Sequence, residues 1–210
     1  MEMVKPVSAS CSSVGLISGS EARFSEDGQY RWWLTRRWGI GVRTLLFVGL
    51  NPSRADGSRD DPTLRRLVGF AQPWGYDALV VINLFARISP SPAALIRCVD
   101  PVGQWGDSVL LQWCRRWAQS QDWDLWCGWG NGGCCLDRHQ IVRSLLLPQL
   151  RLRADRLPQS PGPLMLGLTG SGQPRHPLYA PRALRLAPFT WAGPPVIRHP
   201  CDTSKHHCER

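Results

Sequence analysis

Three short motifs in this sequence carry side chains that could bind and activate a small polar ligand. Asn51 stands in a Gly-Leu-Asn-Pro-Ser motif at 49–53, directly after a run of apolar residues. Asn83 ends a second apolar run, and His176 precedes a proline in a polar loop. A carboxamide offers both hydrogen-bond donors and acceptors. Polar side chains at the ends of buried strands lie where open α/β sheets place ligands, so these residues are candidates for a binding site.

The elements that must position these residues follow from the hydrophobic pattern. Continuous apolar runs predict four buried strands, at 45–50, 78–84, 123–129 and 163–168. Helical spacing between them predicts helices over 62–72, 104–118 and 135–147, the first with an aspartate N-cap before Pro62. This alternation implies parallel strands joined by crossovers, whose carboxyl ends meet at one edge. We therefore expect Asn51, Asn83, Asn131 and His176 around one cleft.

A further strand at 30–34 is separated from 45–50 by arginines and glycines, which suggests a hairpin. The sequence thus predicts a three-layer α/β sandwich with a mainly parallel four-stranded sheet, extended by this N-terminal antiparallel strand. Residues 26–192 would form a single α/β domain. The segments 1–25 and 193–210 lack periodicity, and we expect both to be disordered.

Composition limits the class of protein. With 210 residues and 43% hydrophobic content, the chain can bury one substantial core. The sequence contains neither a membrane-spanning apolar run nor a secretory signal, so we expect a cytoplasmic protein that does not bind membranes. The net charge of +9 comes almost entirely from arginine, which favours DNA, RNA or a nucleotide as partner, although solvated basic helices would give the same charge. The arginines expected near a polyanion are Arg31, Arg36, Arg37, Arg54, Arg65, Arg66 and Arg175.

The 8 cysteines show no paired C-x-x-C spacing, so most are expected to be reduced packing residues. The C-terminal tail contains residues that could in principle ligate zinc, but it lacks the apolar residues that a zinc knuckle needs. We therefore expect no metal, no iron–sulfur cluster and no other cofactor. The tail residues in question are His199, Cys201, His206, His207 and Cys208.

The 11 tryptophans fall into groups with different interpretations. Trp113 and Trp117 lie four residues apart on one predicted helix face, which indicates core packing. Trp32, Trp33 and Trp38 alternate with arginines, a pattern that serves either to stack bases and hold phosphates or to pack a strand. Both interpretations of the second group stay open.

The motifs also carry a family resemblance. RWWLTRRW, LLFVGLNPSRAD, DDPTLRR, GFAQPWGY, VINLFA, DPVG, WGNGG and GLTGSGQPRHPLY, in this order over 30–191, resemble the bacterial family known only as domain of unknown function 1643. That family brings no established activity. The same layout is similar, more distantly, to the uracil-DNA glycosylase superfamily. In that superfamily the first strand ends in Gly-x-Asp/Asn-Pro, the second in Asn, the third leads toward Trp-Gly and the fourth toward His-Pro.

The second resemblance implies a role for each motif residue. It places Asn51 where the superfamily positions the attacking water, Asn83 where it reads a base edge, and His176 where it hydrogen-bonds the departing base. Asn51 and His176 are thus the expected catalytic pair. The last loop departs from the superfamily by being unusually polar, and in it Arg175, beside His176, could contact a phosphate. The expected substrate-binding residues are Gly49, Pro52, Ser53, Asn83, Trp129, Asn131, Arg175 and Tyr179.

Three functions stay open on the sequence alone. The first is hydrolysis of an N-glycosidic bond in DNA at a glycosylase-like nucleobase site. The second is a non-catalytic module that binds nucleic acid or a nucleotide. The third is an enzyme that acts on free nucleotides, for which binding would depend little on strand length.

Overall fold

The computed structural model describes residues 19–53 and 59–191, which form an α/β fold around one sheet. Two 3₁₀ segments, Gly130–Asp137 and Pro177–Tyr179, follow the strands on the side of the predicted site. The strands are β1 (Glu21–Phe24), β2 (Arg31–Arg37), β3 (Thr44–Gly49), β4 (Ala78–Asn83), β5 (Trp123–Cys127), β6 (Leu164–Met165) and β7 (Ala187–Pro188). The helices are α1 (Pro62–Ala71), α2 (Pro92–Ile96), α3 (Gly106–Gln119) and α4 (Arg138–Arg156).

The sheet has 7 strands in the order β1-β2-β4-β3-β5-β6-β7. Its central strands β4, β3, β5 and β6 are the four predicted from the apolar runs, and they pair in parallel. Strands β1, β2 and β7 add three antiparallel pairings. The prediction of a mainly parallel four-stranded sheet is therefore wrong for the whole sheet, because the flanking strands make it mixed.

Strand β2 corrects the predicted hairpin. It pairs with β4, with Arg37 opposite Ala78, and β4 separates it from β3. The connection from β2 to β3 instead crosses the start of β4, where the backbone N–H groups of Trp38 and Gly39 donate to the carbonyl of Asp77 at 3.0 and 3.1 Å. Periodicity shows that a segment is a strand but not which neighbour it pairs with.

Strand β1 corrects the predicted disorder of segment 1–25. Residues Glu21–Phe24 pair with β2 in an antiparallel register, so this part of the segment has regular structure. Residues 1–18 and the predicted tail 193–210, with its histidines and cysteines, lie outside the described residues, as does Arg54.

Alternating side chains of the sheet build one core on each face. Leu46 and Val48 face α3 and α4, whereas Leu45 and Phe47 face α1. The first core contains Trp113 and Trp117, which confirms their predicted packing role. Helices on both faces are the arrangement that parallel strands with crossover connections require.

The observed starts of the helices show which of them the local sequence pattern predicted correctly. Helix α1 begins as predicted, since the side chain of Asp61 accepts from the N–H of Leu64 at 2.7 Å. Helix α4 begins later than predicted because Leu136 and Asp137 have φ angles of 53° and 49°, and it continues through Pro148. None of the helices within the described ranges is both long and apolar enough to cross a membrane.

A buried arginine joins α3 to β5. The guanidinium of Arg153, 1% exposed, donates to the carbonyls of Trp117 at 2.6 Å, Trp123 at 2.9 Å and Pro161 at 3.2 Å. It also lies over the Trp117 ring, 5.0 Å from the centroid. These bonds offset the cost of burying its charge and fix the start of the strand that leads to the site.

Candidate functional site

Two adjoining clefts lie beyond the carboxyl ends of the parallel strands. The inner cleft, about 170 Å³, is lined by the ends of β3 and β4 and the start of α1. The outer cleft, about 530 Å³, lies between the turn after β5 and the loop that carries His176. Leu50, Asn51 and His176 line both clefts, so the two are continuous.

The structure brings the expected residues together at this edge. Asn83, Gly49 and Ser53 line the inner cleft. The expected residues of the outer cleft are Trp129, Asn131, Arg175 and Tyr179. Pro52 is the exception: its side chain is buried and lines neither cleft, and its carbonyl accepts a hydrogen bond from Asn51. The convergence agrees with the parallel topology, while the roles assigned to these residues stay predictions.

Asn51 is held in one orientation by the backbone around it. Its Nδ2 group donates to the carbonyls of Pro52 and Ser89, both at 3.0 Å. Both amide hydrogens are therefore used, and Oδ1 is the atom left to accept a hydrogen bond. A side chain fixed in this way can orient a water molecule or a ligand donor, but it cannot take up a proton.

Asn83 presents a carboxamide that the protein does not satisfy. Its Nδ2 is buried and has no hydrogen-bond partner among the described residues. Gly49 lies opposite, and a Cβ atom there would stand 2.9 Å from Asn83 Oδ1 and 2.9 Å from Phe47 Cε1. The glycine thus makes room for the amide beside an aromatic ring. A buried amide without a partner costs about 1–3 kcal/mol, which a complementary ligand would recover.

His176 is arranged as a neutral hydrogen-bond donor. Its Nδ1 accepts from the backbone N–H of Leu178 at 3.2 Å, so the proton of the neutral ring lies on Nε2. Burial lowers the pKa of the imidazole to about 4, and the nearby charge of Asp61 only partly opposes this. At neutral pH the ring is therefore uncharged and can donate through Nε2.

The loop that carries His176 is fixed to α1. Arg66 donates through Nε to the carbonyl of Pro177 at 3.4 Å and through its guanidinium to the carbonyl of Ala180. The same guanidinium lies over the ring of Phe70, 4.8 Å from the centroid. Arg66, which was expected near a polyanion, therefore holds this loop in place by hydrogen bonds to its backbone.

Two charged residues of the inner cleft were not among the predicted site residues. Asp61 was interpreted only as the N-cap of α1, but its carboxylate lines the cleft and also accepts from the hydroxyl of Ser53. Arg31 also lines the cleft, at 4% exposure, and burial lowers the pKa of its guanidinium to about 10 while Asp61 raises it. The signal for Asp61 was its position directly after the strand-end loop. Arg31 was expected only as one of several arginines near a polyanion.

The outer cleft is built from two turns that are tied together. Gly130, with φ 65°, donates its N–H to the carbonyl of Pro174 at 2.8 Å. Trp129 Nε1 donates to Gln173 Oε1 at 2.8 Å, and the hydroxyl of Ser171 donates to Asn131 Oδ1 at 2.7 Å. These bonds hold the polar loop before His176 against the glycine-rich turn after β5.

The predicted polyanion arginines do not form a continuous groove within the described residues. Of the six members of that set that the structure describes, Arg31 and Arg175 line the clefts. Arg36 pairs with Asp60 at 2.8 Å, and Arg65 donates to the carbonyl of the same residue at 2.7 Å. Arg37 donates to two backbone carbonyls of the β2–β3 connection.

The tryptophans interleaved with these arginines pack within the protein. Trp32 stacks on Tyr30 at 5.3 Å, and Trp33 meets Trp113 edge-on at 5.7 Å. Trp38 Nε1 donates to the carbonyl of Tyr76 at 2.6 Å. Of the two open interpretations, the contacts favour strand packing over base stacking.

The described cysteines also behave as packing residues where they are buried. Cys114 and Cys127 lie in the core, and burial raises the pKa of the Cys114 thiol to about 12. Within 19–53 and 59–191, no three side chains of His, Cys, Asp or Glu cluster as metal ligands would.

A family model described as "Protein of unknown function (DUF1643)" matches residues 31–178. The chain belongs to this family. The matched region begins at Arg31 and ends at Leu178, residues that line the inner and outer clefts respectively. Neither a curated protein nor a solved structure matches the chain. The matched region therefore includes every described lining residue of the two clefts except Tyr179, and the description of the family supplies no activity.

Proposed function

We propose that this DUF1643 protein binds the nucleobase of a nucleoside or nucleotide in the inner cleft and hydrolyses its N-glycosidic bond. The observation that carries the proposal is the unsatisfied amide of Asn83 in a cleft that also contains the neutral imidazole of His176. Three of the motifs that resemble the uracil-DNA glycosylase superfamily, those of Asn51, Asn83 and His176, line this cleft, and the Trp-Gly motif lines the adjoining outer cleft, which supports the same function.

The amide of Asn83 suits the edge of a base. It offers one acceptor and one donor side by side, and a pyrimidine edge presents the complementary pair. The Phe47 ring lies beside Gly49 in the same cleft and provides an aromatic wall. Because a site built to hydrogen-bond a ligand rejects analogues that lack the matching groups, Asn83 would select among bases.

The remaining side chains supply the chemistry. Asn51 Oδ1 holds a water molecule, and the carboxylate of Asp61 accepts its proton as the water oxygen bonds to the sugar carbon. The C–N bond breaks, its electron pair passes to the base, and His176 Nε2–H stabilises the negative charge on the base oxygen. Asp61 is the one carboxylate among the described residues that line the inner cleft, and its charge also favours the positive character of the sugar.

The charge distribution favours a second candidate substrate beside DNA, namely a free nucleotide. Among the described arginines of the predicted set, Arg31 and Arg175 line the clefts, whereas a protein that tracks a strand neutralises many phosphates. A free nucleotide would thus satisfy the site. For each phosphate neutralised, the plot of log affinity against log salt should have a slope of about −0.9 for duplex and about −0.7 for single strands. A shallow slope for the binding of oligonucleotides would identify a free nucleotide as the substrate.

The test measures base release and binding on one substrate panel. Purified protein is incubated with deoxynucleosides, their monophosphates and single- and double-stranded oligonucleotides that contain uracil or other altered bases. Released base is followed by chromatography, and binding by thermal shift. We expect one base to be released, and Asn83→Ala to weaken its binding about 10- to 100-fold. Gln104→Ala, which changes an exposed amide outside both clefts, should bind as the unaltered protein does.

His176→Ala separates catalysis from binding. An enzyme should lose base release with little loss of affinity, since the imidazole acts mainly on charge that develops during the reaction. Binding without release by the unaltered protein would refute the hydrolysis and leave a binding module. The absence of any binding across the panel would refute the nucleobase site itself.

A further inference from the structure

The geometry points to a phosphate subsite in the outer cleft, organised around Arg175, that takes the phosphate group attached to the nucleoside. This inference rests on the proposed function, because the base must occupy the inner cleft for its phosphate to reach the outer one. The ligand class is then a nucleoside with a phosphate, rather than a free base or an unmodified nucleoside.

The first argument is the charge of the outer cleft. Its described lining residues include Arg175 and no aspartate or glutamate, whereas the inner cleft contains Asp61 beside Arg31. Arg36 and Arg138 both pair with carboxylates, but Arg175 forms no ion pair with a described residue. Arg175 is half-buried, and its guanidinium donates to the backbone carbonyl of Leu168 at 3.4 Å. A guanidinium without a carboxylate partner favours an anionic ligand, and its planar fork matches phosphate oxygens.

The second argument is the set of fixed donors around Arg175. The backbone N–H of Arg175 donates to the carbonyl of Gly167 at 2.8 Å, which fixes the position of the residue. Because Asn131 Oδ1 accepts from Ser171, its Nδ2 group remains as a donor at the cleft. Thr169 also lines the cleft, and because Ser171 donates to Asn131, the hydroxyl of Thr169 donates to that of Ser171 at 3.1 Å and helps to hold Asn131 in place rather than serving as a donor to the ligand. Donors held in place before the ligand arrives bind an anion with little ordering cost.

The third argument is the continuity of the two clefts. Leu50, Asn51 and His176 line both, so one ligand can occupy both. His176, at the junction, would face the bond between base and sugar. Tyr179 is 80% exposed at the outer cleft and leaves it open to solvent. The phosphate could therefore be a terminal monoester or a diester that continues into a strand.

The experiment compares matched ligands that differ by one phosphate. Binding is measured by calorimetry for deoxynucleosides, their 5′-monophosphates, 2-deoxyribose 5-phosphate, inorganic phosphate and a tetranucleotide. We expect each bound monophosphate to bind about 10- to 100-fold more tightly than its nucleoside. Arg175→Gln should remove that difference and leave the nucleoside affinity unchanged. Arg185→Gln, which changes an exposed arginine outside both clefts, should preserve it.

The outcomes distinguish this subsite from the base site. Equal affinities for nucleoside and monophosphate, or a difference that survives in Arg175→Gln, would overturn the subsite and leave the base site standing. If 2-deoxyribose 5-phosphate binds in a way that depends on Arg175, and if the attached base of a nucleotide does not raise the affinity further, the subsite is supported and the base site is refuted. No binding of any ligand would overturn both. A tetranucleotide that binds more tightly than the monophosphate identifies a strand as the source of the phosphate, and equal binding identifies a free nucleotide.

Discussion

The imidazole of His176 provides the sharpest test of the site, because its low pKa should couple protein stability to pH. Burial holds the pKa near 4 in the folded protein, against an ordinary value of 6.5. Between pH 6.5 and 4 the unfolded chain therefore binds a proton that the folded chain does not. Stability rises with pH wherever the unfolded state binds more protons, so the contribution of neutral His176 is complete above pH 6.5 and is lost as the pH falls toward 4.

The magnitude follows from the size of the shift. At about 1.4 kcal/mol per pKa unit, the full effect is about 3 kcal/mol. Because the ring keeps part of its surface in solvent, we expect about 2 kcal/mol of this to appear in the free energy of unfolding. That is a large fraction of the stability of a domain of this size.

The assay compares the protein with His176→Asn in urea unfolding at several pH values from 7.5 to 4.5. The asparagine oxygen, bonded to Cγ as Nδ1 is, can still accept from the N–H of Leu178 but does not titrate, so the difference between the two proteins isolates His176. We expect the difference in unfolding free energy to be constant above pH 6.5 and to change by about 2 kcal/mol toward pH 4.5. Parallel pH profiles, or an NMR titration of His176 with a midpoint near 6.5, would refute the reasoning.

Three other changes test different parts of the structure. Gly49→Ala should weaken nucleobase binding and lower the free energy of unfolding by about 1–3 kcal/mol in chemical denaturation, because the added Cβ would crowd Asn83 Oδ1 and the Phe47 ring. Unchanged binding and stability would contradict the close approach of Gly49 to these two side chains. Asp61→Asn should keep the helix cap, since asparagine also caps helices, and abolish base release with binding retained. It should lower the unfolding free energy, because the buried guanidinium of Arg31 loses the charge of Asp61; Asp61→Ala should cost about 1 kcal/mol more through loss of the cap, and full activity of the asparagine variant would exclude Asp61 as the proton acceptor. Arg153→Met should lower stability by about 3 kcal/mol or more in thermal unfolding, because several buried carbonyls lose their donor; a negligible shift would show that water replaces the guanidinium.

The sequence predicted the parallel centre of the fold because that part depends on local hydrophobicity. Strands β3 and β4 are buried on both faces, so they appear as continuous apolar runs whatever their neighbours are. Their carboxyl ends then had to meet at one edge, which brought Asn51 and Asn83 to the same cleft.

The parts that could not be predicted depend on contacts between distant segments. The place of β2 beside β4 is set by pairing such as Leu34 with Val81, which no local pattern encodes. The start of α4 was placed too early because apolar spacing continues through Leu136, where the backbone φ is positive. Arg31 occupies an ordinary strand position in the sequence, and only pairing with neighbouring strands shows it to be buried in the cleft.

Asp61 shows how one residue can carry both a structural and a chemical role at this site. Asn51 stands where the resemblance expects the residue that positions water, but an amide cannot accept a proton. The carboxylate of the inner cleft that can accept a proton belongs to Asp61, the N-cap of α1. The first turn of that helix needs a side-chain acceptor for its free N–H groups, and Asp61 supplies it beside the strand end. Capping therefore holds Asp61 in place at the inner cleft, and in the proposed hydrolysis the same carboxylate serves as the base. Under that proposal the site needs no carboxylate at position 51, because the cap of α1 supplies one.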